Sequence, residues 1–251
     1  MTIEEPEPDD SGPGGRQMAR WRNTGQSYAG QSYAGPTMTP PSVPDELDVF
    51  RGLTGELTQF MLIYKFGLAE IGTKINILTE ELTHRGRGNP IEHVSPRLKS
   101  PASIIAKARR VGCPVAFDDL RARIRDIAGI RVVCGFVSDV YLVADMLTRQ
   151  PDLNLVRTKD YIAEPKANGY RSLHLIVEIP VFLSDRVVTV PVEVQLRTVA
   201  MDFWASLEHK IYYKYDPDIP DRLRDELAAT AEDAARLDKR MELLHREIHG
   251  R

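Results

Sequence analysis

Four stretches of the chain set charged and polar side chains where regular structure would align them. In "VVTVPVEVQLRT" (187–198), Val190, Val192, Val194 and Leu196 alternate with Glu193, Gln195 and Arg197. Successive side chains on a strand face opposite ways, so one face suits a core and the other carries a carboxylate, an amide and a guanidinium in a row. That polar face is either a solvated outer surface or the lining of a site. In "RARIRDIAGIRVV", Asp126 stands just before an apolar strand, with Arg121, Arg123, Arg125 and Arg131 around it in sequence. Two uses fit this carboxylate: an ion pair, or a magnesium ligand. Mg²⁺ takes one or two protein carboxylates and completes its shell with phosphate oxygens and water, and Glu193 could supply the second. Nearby arginines would then neutralise the remaining phosphate charge.

The third stretch, "SPRLKSPASIIAKARR", opens a helix with Ser100 as cap and Pro101 in its first turn. Lys99, Ser103, Lys107 and Arg110 fall near one line at helical spacing, while Ile104, Ala108 and Val111 take another face. The line begins where free backbone amides and the helix dipole favour anions, so it suits a polyphosphate as well as a solvated face. In the fourth, "YIAEPKANGYRSLH", Lys166, Asn168 and Gly169 read as a loop before Tyr170, with His174 on the following strand. A loop tyrosine can plug a core or stack on a base, and the lysine can meet a phosphate. No glycine-rich phosphate loop of the Walker or dinucleotide type occurs, so a nucleotide would be held another way.

These side chains need a scaffold, and the hydrophobic pattern supplies one. A long helical stretch runs from Asp45 through Leu82, with Gly67 and Gly72 as the two points where it could be interrupted. The segments "IEHVSPRLK", "GIRVVCGF", "LNLVRTKDYIA", "RSLHLIVEIP" and "VVTVPVEVQLRT" read as extended, and "VSDVYLVADMLTRQ" as a helix. Two helices close the chain, from about Val199 to Tyr215 and from about Asp221 to His249. The pattern points to an α/β or α+β domain with helices packed on a sheet. In the last helix Leu223, Leu227, Ala231, Ala234, Leu237, Met241, Leu244 and Ile248 form one apolar stripe, open to packing on its own domain or on a partner helix.

Residues 1–44 are acidic, rich in Pro and Gly, and carry the short tandem repeat "GQSYAGQSYAG"; they read as a disordered tail. Residues 45–216 read as the folded domain and 217–251 as the last helix. The net charge of −3 gives no global nucleic-acid signature. The two cysteines, Cys113 and Cys134, lack metal or redox spacing and are expected to be buried free thiols in a reducing cytosol. No apolar run reaches membrane-spanning length, and the acidic N-terminus is unlike a signal peptide.

Taken in order, "RLKSPASIIAKARR", "DIAGIRVV", "YIAEPKANGYRSLH", "VEVQLRT" and "MDFWASLEHKIYYKY" resemble the small alarmone synthetases, single-domain GTP pyrophosphokinases of the RelA/SpoT type. The resemblance runs from about Asp45 onward. It implies an α+β fold with a nucleotidyltransferase-like mixed β-sheet flanked by helices. It also implies transfer of the β,γ-pyrophosphate of ATP to the 3′-hydroxyl of GDP or GTP, with Mg²⁺ as cofactor. By position, Asp126 would hold the metal, and Glu193 would assist it and act as base. Arg97 and Arg131 would sandwich adenine, with Lys99, Ser103, Lys107 and Arg110 on the ATP phosphates. Tyr170 would stack on guanine, with Lys166, His174 and Gln195 also on the acceptor side. Long relatives add a hydrolase domain with a His-Asp pair; no His-Asp dipeptide occurs here, so synthesis without hydrolysis is expected. Family members are commonly homotetramers, which implies a homo-oligomer. Gly72, Asn76 and His93 stand where product-activated members would need lysines and an aromatic. Two other functions remain to be separated from this one: pyrophosphorylation of a tRNA 3′ end, and non-catalytic nucleotide or RNA binding.

Overall fold

The computed structural model describes residues 46–85, 88–214 and 220–249; the segment read as a tail lies outside them. The chain begins with helix α1 (Glu46–His84), followed by strand β1 (Ile91–Leu98) and helices α2 (Pro101–Arg110) and α3 (Phe117–Arg123). Strand β2 (Ala128–Cys134), helix α4 (Val137–Thr148) and strands β3 (Asn154–Asp160), β4 (Leu173–Phe182) and β5 (Val187–Thr198) come next. Helices α5 (Val199–Lys214) and α6 (Asp221–His249) complete the order.

The sheet runs β1-β2-β5-β4-β3. β2 and β5 are parallel and the other pairs antiparallel, the mixed sheet that the family resemblance implies. Alternation is kept strictly on the central strand: Val190, Val192, Val194 and Leu196 are buried, while Glu193 and Gln195 face the other way. The same parity buries Leu173, Leu175, Val177 and Ile179 on β4 and Ile130 and Val132 on β2. α1 covers this apolar face with Phe60, Tyr64, Ile71 and Ile75, all nearly inaccessible to solvent.

α1 is continuous through both glycines, so neither interrupts it. Gly67 is a packing device rather than a break, because a Cβ placed there would lie 2.7 Å from Val190 Cγ1. The missing side chain lets the helix approach β5 closely. Gly72 has open space around it and breaks nothing. The short helix α3 is absent from the sequence reading, since seven residues carry too little periodicity to stand out.

α6 packs on its own domain with only the first part of its apolar stripe, where Ala231 is buried and Leu223, Leu227 and Ala234 are half-buried; farther along, a different face turns inward. Ala231, Ala235, Asp238 and Glu242 turn inward and are buried, while Leu237, Met241, Leu244 and Ile248 are exposed. Two hydrogen bonds set this rotation. Thr198 Oγ1 donates to Asp238 Oδ2 at 2.7 Å, and the backbone N–H of Ser138, in the first turn of α4, donates to Glu242 Oε2 at 3.2 Å. Cys113 and Cys134 are buried and free, and burial pushes the Cys134 thiol up to about 12, with Asp139 and Glu92 adding to it.

Candidate active site

The polar face of β5 floors a cavity of about 420 Å³, walled by Arg97, Lys99, Asp126 and Arg131 with Glu193 and Gln195. Strand register explains the convergence. Glu193 lies opposite Gly129 and Gln195 opposite Arg131 on β2, while Arg97 and Ser95 of β1 lie opposite Gly129 and Arg131. Gly129 carries no side chain to fill the space beside Glu193, which leaves that space open as cavity.

Asp126 sits in the turn before β2, not on the strand. Its Oδ2 accepts from Lys99 Nζ at 3.0 Å and is ion-paired with Lys107, and Lys99 also donates to its backbone oxygen at 3.0 Å. Its Oδ1 is buried with no hydrogen-bond partner. Burial raises the carboxyl pKa, but Lys107 and Lys99 outweigh burial and hold it below the ordinary carboxylate range. Of the predicted cationic line, then, Lys99 and Lys107 reach the site. Ser103 is exposed with its hydroxyl 2.9 Å from that of Ser100, and Arg110 is exposed at the end of α2.

Glu193 is the second carboxylate. His174 Nδ1 lies 3.2 Å from its Oε1, and Gln195 Nε2 donates to its Oε2 at 2.9 Å. Burial and the Asp126 charge raise its pKa, yet the His174 and Gln195 contacts prevail and it too lies below the ordinary range. The other nitrogen of His174, Nε2, is 2.8 Å from the Tyr170 hydroxyl, which accepts from Arg197 Nη2 at 2.7 Å. A guanidinium only donates, so the Tyr170 hydroxyl oxygen accepts from Arg197 while it also meets His174 Nε2, and the imidazole bridges Tyr170 and Glu193.

Tyr170 is therefore held at its hydroxyl as well as its ring. Lys166 Nζ lies 4.5 Å and Arg197 Cζ 5.2 Å from the ring centroid, and Tyr161 meets the ring edge-on at 6.0 Å. The loop before it turns tightly: Gly169 N–H donates to Lys166 O at 2.8 Å, and Gly169 has φ of +85°. Asn168 donates to Glu208 of α5 at 3.1 Å, and Arg171 donates to Glu232 of α6 at 2.8 Å, so the two terminal helices back the loop.

Three of the four arginines near Asp126 in sequence are elsewhere in space. Arg121 pairs with Asp118 and lies over the Phe60 ring, Arg123 pairs with Asp119, and Arg125 pairs with Glu178. Only Arg131 of that group lines the cavity. Conversely, Arg197 is marked from sequence only as part of the polar face of β5, and two further participants, Asp202 and Tyr161, have no role assigned from sequence. Arg197 is 5% exposed and Asp202, in the first turn of α5, bonds both Arg197 and Arg131. Tyr161 packs on Tyr170 and His174. Arg197 shares the parity of Glu193 and Gln195, which already places it on that face; Asp202 and Tyr161 stand in matching motifs but have no spacing that singles them out.

Among the described residues no group of three or more His, Cys, Asp or Glu could hold a metal ion. Two carboxylates facing one cavity, one with a bare buried oxygen, fit a magnesium ion that draws most of its ligands from phosphates and water.

Residues 96–218 match the family described as "Region found in RelA / SpoT proteins". GTP pyrophosphokinase YwaC of Bacillus subtilis (strain 168) is 50% identical over 188 residues, which are 75% of this chain and 90% of that one. The crystal structure of small alarmone synthetase 2 from Bacillus subtilis superposes with a TM-score of 0.70 at 48% identity, covering 76% of this chain and 99% of that one. Small alarmone synthetase 1 of the same organism, bound to its product pppGpp, gives 0.71 at 36% identity, covering 78% and 99%. Likeness of this extent, over a fold whose cavity gathers the motif residues, establishes that the chain belongs to the small alarmone synthetase family.

Proposed function

We propose that this chain transfers the β,γ-pyrophosphate of ATP to the 3′-hydroxyl of GDP or GTP, giving AMP and ppGpp or pppGpp. The observation that carries the reading is the cavity in which Asp126 and Glu193 share one space with Lys99, Arg97 and Arg131. A relative that binds pppGpp as its product supports the same chemistry.

Arg97 and Arg131, on neighbouring strands at the rim, hold adenine between guanidinium planes. Lys99 and Lys107 take the ATP phosphates, exchanging their contacts with Asp126 for contacts with substrate. Ser103 and Arg110 extend that line where the polyphosphate leaves the cavity. Tyr170 stacks on guanine, which takes the place of the Lys166 ammonium on its ring and moves that ammonium toward the acceptor phosphates. Glu193 accepts the 3′-hydroxyl proton as the oxygen bonds to the β-phosphorus and the bond to the α-phosphate oxygen breaks, releasing AMP. His174 and Gln195 hold the two carboxylate oxygens of Glu193 in place for that transfer. Asp126 and Glu193 would hold Mg²⁺, which neutralises phosphate charge when bound. Such chemistry rests on positioning and electrostatics more than on covalent participation.

The chain also self-associates, in this reading as a tetramer. Phe203, Leu207 and Ile211 of α5 and Leu237 and Met241 of α6 flank an apolar groove of about 1000 Å³, and Phe203 is 65% exposed. An exposed apolar surface of this kind marks an interface. None of the helices described is long and apolar enough to cross a membrane.

Incubating the purified chain with labelled ATP and, separately, GDP, GTP or tRNA tests the proposal. Label must move from ATP to GDP or GTP. Label on tRNA would support the alternative acceptor, which the ion pairing of Arg121, Arg123 and Arg125 disfavours by occupying the basic run. Nucleotide binding with no transfer would leave a binding module.

A further inference from the structure

We propose that Asp202 is a positioning residue that makes the two nucleotide half-sites bind cooperatively. The inference rests on the proposed function, in that Arg131 serves the donor and Tyr170 the acceptor. Arg131 and Arg197 lie on adjacent parallel strands, and Arg131 is paired with Gln195, two residues before Arg197 on the same face. Two guanidinium ions so placed repel unless something lies between them. Asp202 Oδ1 does, 3.1 Å from Arg131 Nη1 and 3.0 Å from Arg197 Nη1. The Asp202 side chain is 15% exposed and that of Arg197 6%, so the contact is little screened.

The link continues on the acceptor side. Arg197 Nη2 donates to the Tyr170 hydroxyl at 2.7 Å and to Gln195 Oε1 at 3.4 Å. Asp202 itself is fixed from behind. Thr198 Oγ1 accepts from Met201 N–H at 3.1 Å in the first turn of α5, and the same hydroxyl donates to Asp238 of α6. Adenine stacked on Arg131 fixes the plane of that guanidinium. Through one shared oxygen this orders Arg197, and through Arg197 the ring of Tyr170. The second nucleotide then meets a site already ordered, so each tightens the other by the same factor. For a reaction that needs both substrates in one cavity, this favours the complex holding both.

Calorimetric titration of the full-length protein with a non-hydrolysable ATP analogue, with and without saturating GDP, and of GDP with and without the analogue, measures the coupling. The wild type should show mutual tightening of about 5- to 150-fold, equal in both directions. Asp202→Asn should bring that factor close to one, with a smaller change in each nucleotide's affinity alone. A merely structural Asp202 would lower both single affinities and the melting temperature while the factor persists, and that result overturns the proposal. Should Asp202→Asn not fold, Arg197→Lys tests the same link, since an ammonium keeps the charge but cannot span Asp202 and Tyr170 together. A wild type with no mutual tightening also overturns it. Transfer of label from ATP to GDP without tightening sinks this inference alone, and tightening without transfer sinks the proposed reaction alone.

Discussion

Gly169 gives the most direct test of how the acceptor loop is positioned. Gly169→Ala makes two demands the structure does not meet. The backbone there has φ of +85°, where an L side chain crowds its own carbonyl at a cost of about 1–2 kcal/mol. The added methyl also overlaps Ala231 Cβ on α6 and lies 3.6 Å from the Ala228 carbonyl oxygen. Backbone on both sides cannot yield cheaply, and overpacking of this kind costs about 1–3 kcal/mol. The sum, about 2–5 kcal/mol, should lower the melting temperature by roughly 4–20 °C for a domain of this size. The loop from Lys166 to Tyr170 should move off α6, raising KM for GDP while KM for ATP changes little. Ala231→Gly in the same chain removes the overlap but leaves the backbone strain, and itself costs about 1 kcal/mol in a helix interior. The double variant should therefore be less destabilised than the sum of the single ones by about 1–3 kcal/mol. Melting curves of the four proteins, with acceptor and donor kinetics, give the answer. Strictly additive destabilisation, or an unchanged KM for GDP in a destabilised protein, would refute the contact between loop and helix.

Asp126→Asn and Glu193→Gln should each lower turnover by about 100-fold or more at saturating Mg²⁺ with the far-ultraviolet spectrum unchanged, and substantial activity in either would remove that residue from the mechanism. Tyr170→Ala should weaken GDP by roughly 5- to 150-fold with ATP affinity nearly unchanged, as loss of base stacking does; calorimetry showing equal losses for both would make Tyr170 a core plug. Asp238 has its carboxyl raised, by burial first and the Glu242 charge as well, against the Thr198 bond and Arg171, so its ionised form opposes folding. Asp238→Asn keeps an acceptor for Thr198 and should raise the melting temperature at pH 8 but not at pH 3, where the acid is already neutral. For Asp126 the sign is opposite: its folded value is depressed, so its pairing stabilises fully above the unfolded carboxylate value, about pH 4. That contribution is lost as pH falls through the lower folded value. Melting curves of wild type and Asp126→Asn should therefore converge only in strong acid.

The alternation in 187–198 was enough to identify β5 and to divide its two faces, because a period of two is a property of any extended chain. In the same way Ser100 and Pro101 marked the start of α2, and the Ser100 hydroxyl does accept from Ser103 N–H. The sequence also singled out both carboxylates and Arg131, which line one cavity in the structure. Proximity along the chain misled for Arg121, Arg123 and Arg125, since a helix and a turn send neighbouring side chains in different directions, where two local acids, Asp118 and Asp119, and Glu178 of β4 receive them. The role of Gly67 within α1 was not legible either: a lone glycine signals a break or a close approach equally well, and only Val190 across the gap decides. The rotation of α6 followed the same logic, with two hydrogen bonds from β5 and α4 outweighing its apolar stripe. Asp202 is the extreme case. It lies in "MDFWASLEHK" with nothing in its spacing to mark it, and its meaning arises because the turn from β5 into α5 brings its carboxylate between guanidinium groups from two strands. Local periodicity fixes what each segment is and which way it faces; which charges meet is decided by register and helix docking, and those depend on contacts between residues far apart in the chain.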